Sequence, residues 1–151
     1  MKKYLLLLFL NLNLWGNAQY INMNINILPP YNSKISTLID KPGKAFVTIQ
    51  NTSTYSRELF FKISITGPNG ISIQSLPNYR PNTSFHINPY QLVQVDVNEL
   101  STYFDENAFT TNGITISDLI KTGYIPEGNY QICITAYDYN NPNNALSPES
   151  C

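Results

Sequence analysis

Charge is scarce in this chain of 151 residues: Asp, Glu, Lys and Arg together make up 13% of it, and the formal net charge is −1. That is about half the globular share of roughly 25%. Too few basic residues are present to neutralise phosphates in bulk, which disfavours a nucleic-acid binder. A single His and two Cys leave few groups for metal or nucleophile chemistry. No apolar run reaches the roughly 20 residues that a bilayer requires. The hydrophobic fraction, 42%, is nevertheless ordinary, and 13% of the chain is aromatic. Uncharged polar residues, above all Asn, Ser and Thr, fill the deficit, so disorder through self-repulsion is not expected. The length suits one domain once a leader is removed. The residues alone name no biochemical activity.

A leader is written at the start. Met1-Lys2-Lys3 is a short basic opening, followed by the apolar run Tyr4–Leu10 and then Leu12 and Leu14. Asn11 and Asn13 interrupt that run, and Gly16-Asn17-Ala18 supplies the small residues a signal peptidase reads, which predicts a signal peptide over 1–18 and cleavage between Ala18 and Gln19. A buried N-terminal helix is the competing reading. No Cys follows the small residues, so a lipid anchor is not supported. Loss of Lys2 and Lys3 leaves 7 basic residues against 10 acids, a mature charge near −3. The location implied is the cell surface, the extracellular space or the periplasm.

Residues 19–151 read as one β domain. Ile21, Met23, Ile25 and Ile27 alternate with Asn22, Asn24 and Asn26, the period of a half-buried strand. Leu28-Pro29-Pro30-Tyr31 ends it, because proline cannot donate to a ladder. Ala45, Val47 and Ile49 repeat the pattern up to Asn51-Thr52-Ser53, and Leu59, Phe61, Ile63 and Ile65 carry it to the turn Gly67-Pro68-Asn69-Gly70. Ile71 and Ile73, then Phe85 and Ile87, then Val93, Val95 and Val97 supply three shorter strands; Tyr130, Ile132, Ile134 and Ala136 make the last complete one. About seven short strands with turns between them predict an antiparallel β-sandwich of the immunoglobulin or fibronectin kind. Two short helical turns are expected before the last complete strand. One carries Leu100, Tyr103 and Phe104 on one face; the other opens at Thr115 and Asp118, with capping-box spacing, and stops by Lys121 and Gly123.

Cys133 and Cys151 have their midpoint at Pro142, inside the tract Tyr139-Asn140-Asn141-Pro142-Asn143-Asn144. A hairpin folded about that tract sets the two cysteines face to face, and an exported location permits oxidation. A disulfide is therefore expected, worth about 3 kcal/mol for a loop of this length; two free thiols or an intermolecular bond are the alternatives. Tyr130 precedes Cys133 by an odd number of residues, so the two point to opposite faces and the bridge should lie on the outer side. The final strand is expected to be truncated: a hairpin partner starting near Ser147 has barely begun at Cys151, which predicts association of an unpaired edge.

Taken in order, Leu28-Pro29-Pro30-Tyr31, Gly67-Pro68-Asn69-Gly70-Ile71-Ser72-Ile73, Tyr79-Arg80-Pro81, Pro126-Glu127-Gly128-Asn129-Tyr130-Gln131-Ile132-Cys133 and Ala136-Tyr137-Asp138-Tyr139 resemble the TANFOR domain. The similarity runs across nearly all of the mature chain, and the Pro-Glu-Gly-x-Tyr-x-x-Cys block is its most specific part. The resemblance implies an N-terminal module of exported proteins of Bacteroidota, often followed by fibronectin-like β domains. It brings no activity, cofactor or catalytic residue.

Candidate sites are few. His86 alternates with Phe85 and Ile87 and so shares the polar face with Ser84 and Asn88; a catalytic His must be buried and oriented, and a solvated strand residue is the plainer reading. Asp105-Glu106 and Asp138 offer hard oxygens, but without the Gly and terminal Glu of a calcium loop they read as turn residues, and no metal is expected. Asn51-Thr52-Ser53 and Asn82-Thr83-Ser84 match the glycosylation acceptor pattern, which an Asn-rich chain produces by chance. The eleven tyrosines are the one candidate recognition surface. Tyr137, on the outward face with Gln131, Cys133 and Thr135, and Tyr139, at the start of the loop, are its leading members; Tyr103 and Tyr124 read as packing residues. The expectation is a non-catalytic structural or interaction module, working without a cofactor, whose partners are downstream β domains, other surface proteins or glycans. The alternative is a carbohydrate-binding module attached to a secreted enzyme.

Overall fold

The computed structural model describes residues 19–27, 45–76, 78–100, 109–111, 114–115 and 128–151. The leader with Ala18, the Leu28–Tyr31 stop, Tyr103, Asp105-Glu106, Tyr124 and the segment 116–123 lie outside the described residues. What is described is mostly strand, arranged as two antiparallel sheets. The first is ordered β1 (Ile21–Ile27), β2 (Ala45–Asn51) and β6 (Leu92–Asp96). In the second, β3 (Arg57–Thr66) pairs along one side with β9 (Gln131–Asp138). Its other side pairs with β5 (Phe85–Ile87) near one end and β4 (Ser72–Ser75) near the other. At the end of β4 the Ser75 hydroxyl accepts from the Ile63 amide at 2.9 Å, so a side chain stands in for a backbone acceptor there.

The period-two pattern determines which faces meet. Ile21, Val47, Ile49 and Val95 from the first sheet and Leu59, Phe61, Ile87, Ile134 and Ala136 from the second form one buried cluster. Asn22, Asn24 and Asn26 are exposed on the opposite side of β1. Phe85 meets Phe61 edge-on, ring centroids 5.7 Å apart, an arrangement that adds to the burial energy. A smaller cluster at the far end of β3 joins Ile65 and Ile73 with Ile63, Ile71, Tyr130 and Ile132.

Two connections differ from the sequence expectation. Val97–Leu100 forms a single helical turn, α1, with Leu100 fully buried in the core. Beyond it, β7 (Phe109–Thr111) and β8 (Ile114–Thr115) extend the second sheet past β4. Thr115 is thus a strand residue paired with Thr110. The sequence reason is Asn112-Gly113 between β-forming residues, the strongest short hairpin signal.

The Gly67–Gly70 turn and the Gly128–Tyr130 segment interlock. A β-carbon on Gly67 would collide with the Tyr130 ring, and one on Gly128 would sit 2.8 Å from Cγ of Pro68. Gly128 also holds φ +152, which L side chains rarely adopt. Two motifs far apart in sequence are therefore halves of one contact. The Tyr130 hydroxyl is pushed up from its ordinary pKa by burial at this junction.

After β9 the chain turns through Asn140–Asn144 and runs back along it. Tyr137 bridges Ala145, and Ile134 exchanges both backbone bonds with Ser150, at 2.8 and 2.9 Å. The return therefore begins at Ala145, ahead of the expected start near Ser147. It is irregular: the Ser147 hydroxyl, instead of a backbone carbonyl, accepts from the Ala136 amide at 2.9 Å. Cys133 and Cys151 are joined as a disulfide. Cys133 faces away from Ile134 and Ala136, on the outer side of the sheet, and is covered there, whereas Cys151 is exposed.

Candidate functional site

The outer face of β3 and β9 carries the tyrosines singled out from sequence. Phe60 points away from the core and is still fully buried. Its ring lies 5.6 Å from that of Tyr137, its register partner on β9. The Lys62 ammonium sits 4.3 Å from the centre of the Tyr137 ring. Burial lowers the Lys62 pKa from its ordinary value. One place further along, the Arg80 guanidinium covers Tyr139 at 4.0 Å, and the Tyr139 hydroxyl donates to the carbonyls of Pro81 and Asn82 at 3.2 and 3.1 Å. Both rings are half-buried. Both form cation–π pairs, and Tyr139 also ties the 78–84 loop to the sheet, so much of their surface is already engaged within the fold.

Glu58 lies opposite His86 in the β3–β5 ladder. Its carboxylate takes Ser84 on one oxygen and the His86 Nδ1 on the other, both at 2.5 Å, and Asn88 Oδ1 is 3.3 Å from Nε2. The Ser84 hydrogen bond, reinforced by His86, holds the Glu58 carboxyl below the usual glutamate value. The hydrogen bond to Glu58, with that to Asn88, raises the His86 pKa. The order Ser–Glu–His places the carboxylate between hydroxyl and imidazole. A nucleophilic triad needs the imidazole in the middle, accepting the hydroxyl proton. Here Ser84 donates to a carboxylate, which does not activate its oxygen as a nucleophile. Sequence reasoning placed His86 and Ser84 together on the polar face but missed Glu58, which only the register supplies.

The one group of candidate metal ligands among the described residues is Cys133, Glu149 and Cys151. Both sulfurs are committed to the disulfide, and a Glu149 oxygen accepts from Ser64 at 3.1 Å. Thiolate ligation is therefore closed off. Asp138 caps its own loop, accepting from the Asn140 amide at 2.9 Å.

The loops at the β5 end of β3 hold the most exposed large hydrophobic side chains among the described residues. Asn51, at the end of β2, is fully buried. Its side-chain nitrogen donates to the carbonyls of Tyr55 at 2.8 Å and Asn88 at 3.0 Å, and its oxygen accepts from the amide and hydroxyl of Ser53 at 2.9 and 2.7 Å. A buried amide with all four positions used is no glycan acceptor; Asn82, in the other matching triplet, is exposed. Asn51 thereby fastens the 52–56 loop to the turn at 88–91. Those loops present Tyr55, 71% exposed, and Tyr90, 65% exposed, with Leu92, 63% exposed, just beyond. Sequence reasoning did not single out these two tyrosines. Each sits within a string of turn-forming residues, outside the strand alternation that accounts for buried aromatics, and that was the available signal. Gln19, at the predicted cleavage point, is exposed.

Among the described residues no helix is long and apolar enough to cross a membrane. No family model, curated protein or solved structure matches the chain.

Proposed function

We infer that the chain is a non-catalytic interaction module of immunoglobulin-like build, carried by an exported bacterial surface protein and akin to the TANFOR domain. Its work is spacing, docking or adhesion. The observation that carries this reading is the Cys133–Cys151 disulfide, which closes the return segment onto β9. Such bonds persist in oxidising compartments, in keeping with the leader-like opening. The strand order supports the build: a three-stranded sheet β1-β2-β6 faces a sheet in which the return segment, β9, β3 and β4 follow in sequence across. The same alternation between sheets recurs in sandwich domains that serve as spacers and binding frames. The polar clusters fit that role, since Asn51 and Glu58 are occupied in fixing loops and a strand pair.

Expression with the native leader in a bacterial host tests the reading. The exported protein is expected to begin at Gln19, with both cysteines resistant to alkylation until reduced. Cytoplasmic retention of intact 1–18, with both thiols alkylated at once, overturns it. The surrounding reading frame gives a second check: fibronectin-like repeats and a sorting domain agree with the proposal, and a fused hydrolase domain favours delivery of an enzyme to glycans.

A further inference from the structure

Tyr90 adopts φ +55, the left-handed region, at the third position of the turn Asn88-Pro89-Tyr90-Gln91. That position favours Gly or Asn, and a bulky residue there is strained. The turn holds it firmly nonetheless: the Gln91 amide donates to the Asn88 carbonyl at 3.2 Å, and the Asn88 amide donates to Gln91 Oε1 at 2.8 Å. The strain gains nothing for the core, because the ring it presents is 65% exposed. Strained residues on rigid supports concentrate at binding sites. Tyr55 is displayed comparably on the neighbouring loop, its carbonyl held by the same Asn51 nitrogen that holds Asn88. Two aromatic side chains from separate loops are thus anchored through one buried amide, which limits the ordering cost of binding.

The chemistry of the two loops is uniform. Asn51-Thr52-Ser53-Thr54-Tyr55-Ser56 and Asn88-Pro89-Tyr90-Gln91-Leu92 contain no charged residue. The adjacent charged groups are engaged within the fold: Arg57 lies over the Tyr20 ring at 4.4 Å and donates to Ser53 Oγ at 3.4 Å, and His86, whose Nε2 is 3.3 Å from Asn88 Oδ1, is paired with Glu58. Rigid tyrosines rimmed by hydroxyls and amides are suited to recognising uncharged polar surfaces. Size decides between the two kinds of occupant. Two tyrosines and a leucine offer on the order of 500 Å², short of the roughly 800 Å² each partner gives a stable protein interface. A few sugar rings, with apolar faces to stack and hydroxyls to bond, fit both the area and the absence of charge.

We propose that Tyr55 and Tyr90 form a binding site for neutral glycans at the loop end of the sandwich, with Leu92 and the exposed Ser, Thr and Asn side chains as its rim. The inference rests on the interaction-module reading and specifies its ligand. The test is native affinity electrophoresis of the full chain through gels containing β-glucan, xylan or α-mannan, with polygalacturonate and hyaluronate as acidic counterparts. Retardation by at least one neutral polymer and by neither acidic one is expected. Tyr55→Ala and Tyr90→Ala should each weaken it at least ten-fold. Tyr90→Gly should also abolish it while melting no lower than the native protein, because glycine suits the left-handed backbone. No retardation by any neutral polymer, retardation by the acidic polymers alone, or undiminished retardation of both alanine variants overturns the site. Those results leave the module reading standing. Release of sugar fragments from the gel polymer by the native chain overturns the module reading itself.

Discussion

The carbonyl of Leu146 accepts from the amide of Ile21 at 2.9 Å, which ties the return segment at the end of the chain to the first strand. The same oxygen takes the Tyr20 amide at 3.0 Å, the Leu146 amide donates to the Ala136 carbonyl at 2.9 Å, and its side chain is buried in the core. Leu146 therefore belongs to both sheets at once. The segment holding it pairs with β9 through isolated bridges, and the disulfide fastens its end covalently.

Removal of that fastening should be felt at both ends of the fold. Cys133→Ser is expected to lower stability by about 3 kcal/mol, the closure entropy of a loop of this length. Amide exchange should also accelerate at Ile21, Ile134 and Ser150 while remaining slow at Lys62, whose amide bonds inside the β3–β9 ladder opposite Thr135. Hydrogen exchange with fragment mass analysis on the native and reduced protein checks this. Uniform acceleration across β3 would mean that the bond supports the whole sandwich instead of one segment.

Asn51→Ala should be among the most damaging polar substitutions. It removes one of the two donors to each of the carbonyls of Tyr55 and Asn88, which keep the Ser53 hydroxyl and the Gln91 amide, and it leaves the buried Ser53 amide without its acceptor. One orphaned buried group costs about 1–3 kcal/mol, so a loss of about 2 kcal/mol is expected in urea unfolding. Asn51→Asp keeps the acceptor but not the donor. It also sets an oxygen against the Tyr55 and Asn88 carbonyls at a fully buried position, so at neutral pH it should lose at least as much stability as Asn51→Ala, with less loss in acid as the carboxyl is protonated.

The strands were legible because one face of each is buried, and alternation records that directly. Ile21 to Ile27 needed nothing more, nor did Val93 and Val95, although Val97, expected to continue that strand, instead opens the helical turn α1. Residues 109–115 were harder, since the capping-box spacing of Thr115 and Asp118 pointed to a helical turn where Thr115 instead pairs with Thr110. Phe60 defeats alternation altogether: it occupies an outward position and is nonetheless buried, against Tyr137 and below Lys62. Contacts set by register, such as Glu58 with His86, or by the folding of separate loops onto one side chain, such as Tyr55 and Asn88 on Asn51, leave no local trace in sequence. The candidate glycan site belongs to this last kind.

Gly128→Ala tests the interlock beside the Gly67–Gly70 turn. The new methyl meets the rigid Pro68 ring on a backbone at φ +152, so both overpacking and backbone strain oppose it. A loss of about 2 kcal/mol is expected by thermal or urea unfolding. Gly70→Ala provides the comparison: Gly70 also has positive φ, +74, but nothing lies near its β-carbon. Equal losses at the two positions would assign the effect to backbone strain alone.

The Glu58–His86 pair should give stability a shallow maximum in mildly acidic solution. Glu58 is lowered from 4.5, chiefly by the Ser84 hydrogen bond and then by His86, so its contribution is present above 4.5 and lost as pH falls through the folded value. His86 is raised from 6.5, chiefly by Glu58, so its contribution is complete below 6.5 and lost as pH rises through the folded value above it. Both are therefore present together between pH 4.5 and 6.5. The pair is solvent-exposed, with side-chain accessibilities of 52% and 37%, so screening keeps the effect small and salt-sensitive. Urea midpoints of the native protein and of His86→Gln, compared at several pH values and two salt concentrations, read it out. The native protein should exceed the variant most near the middle of that window at low salt, with the gap narrowing at alkaline pH and in high salt. A gap that is constant across pH would mean that His86 contributes through packing rather than through its charge.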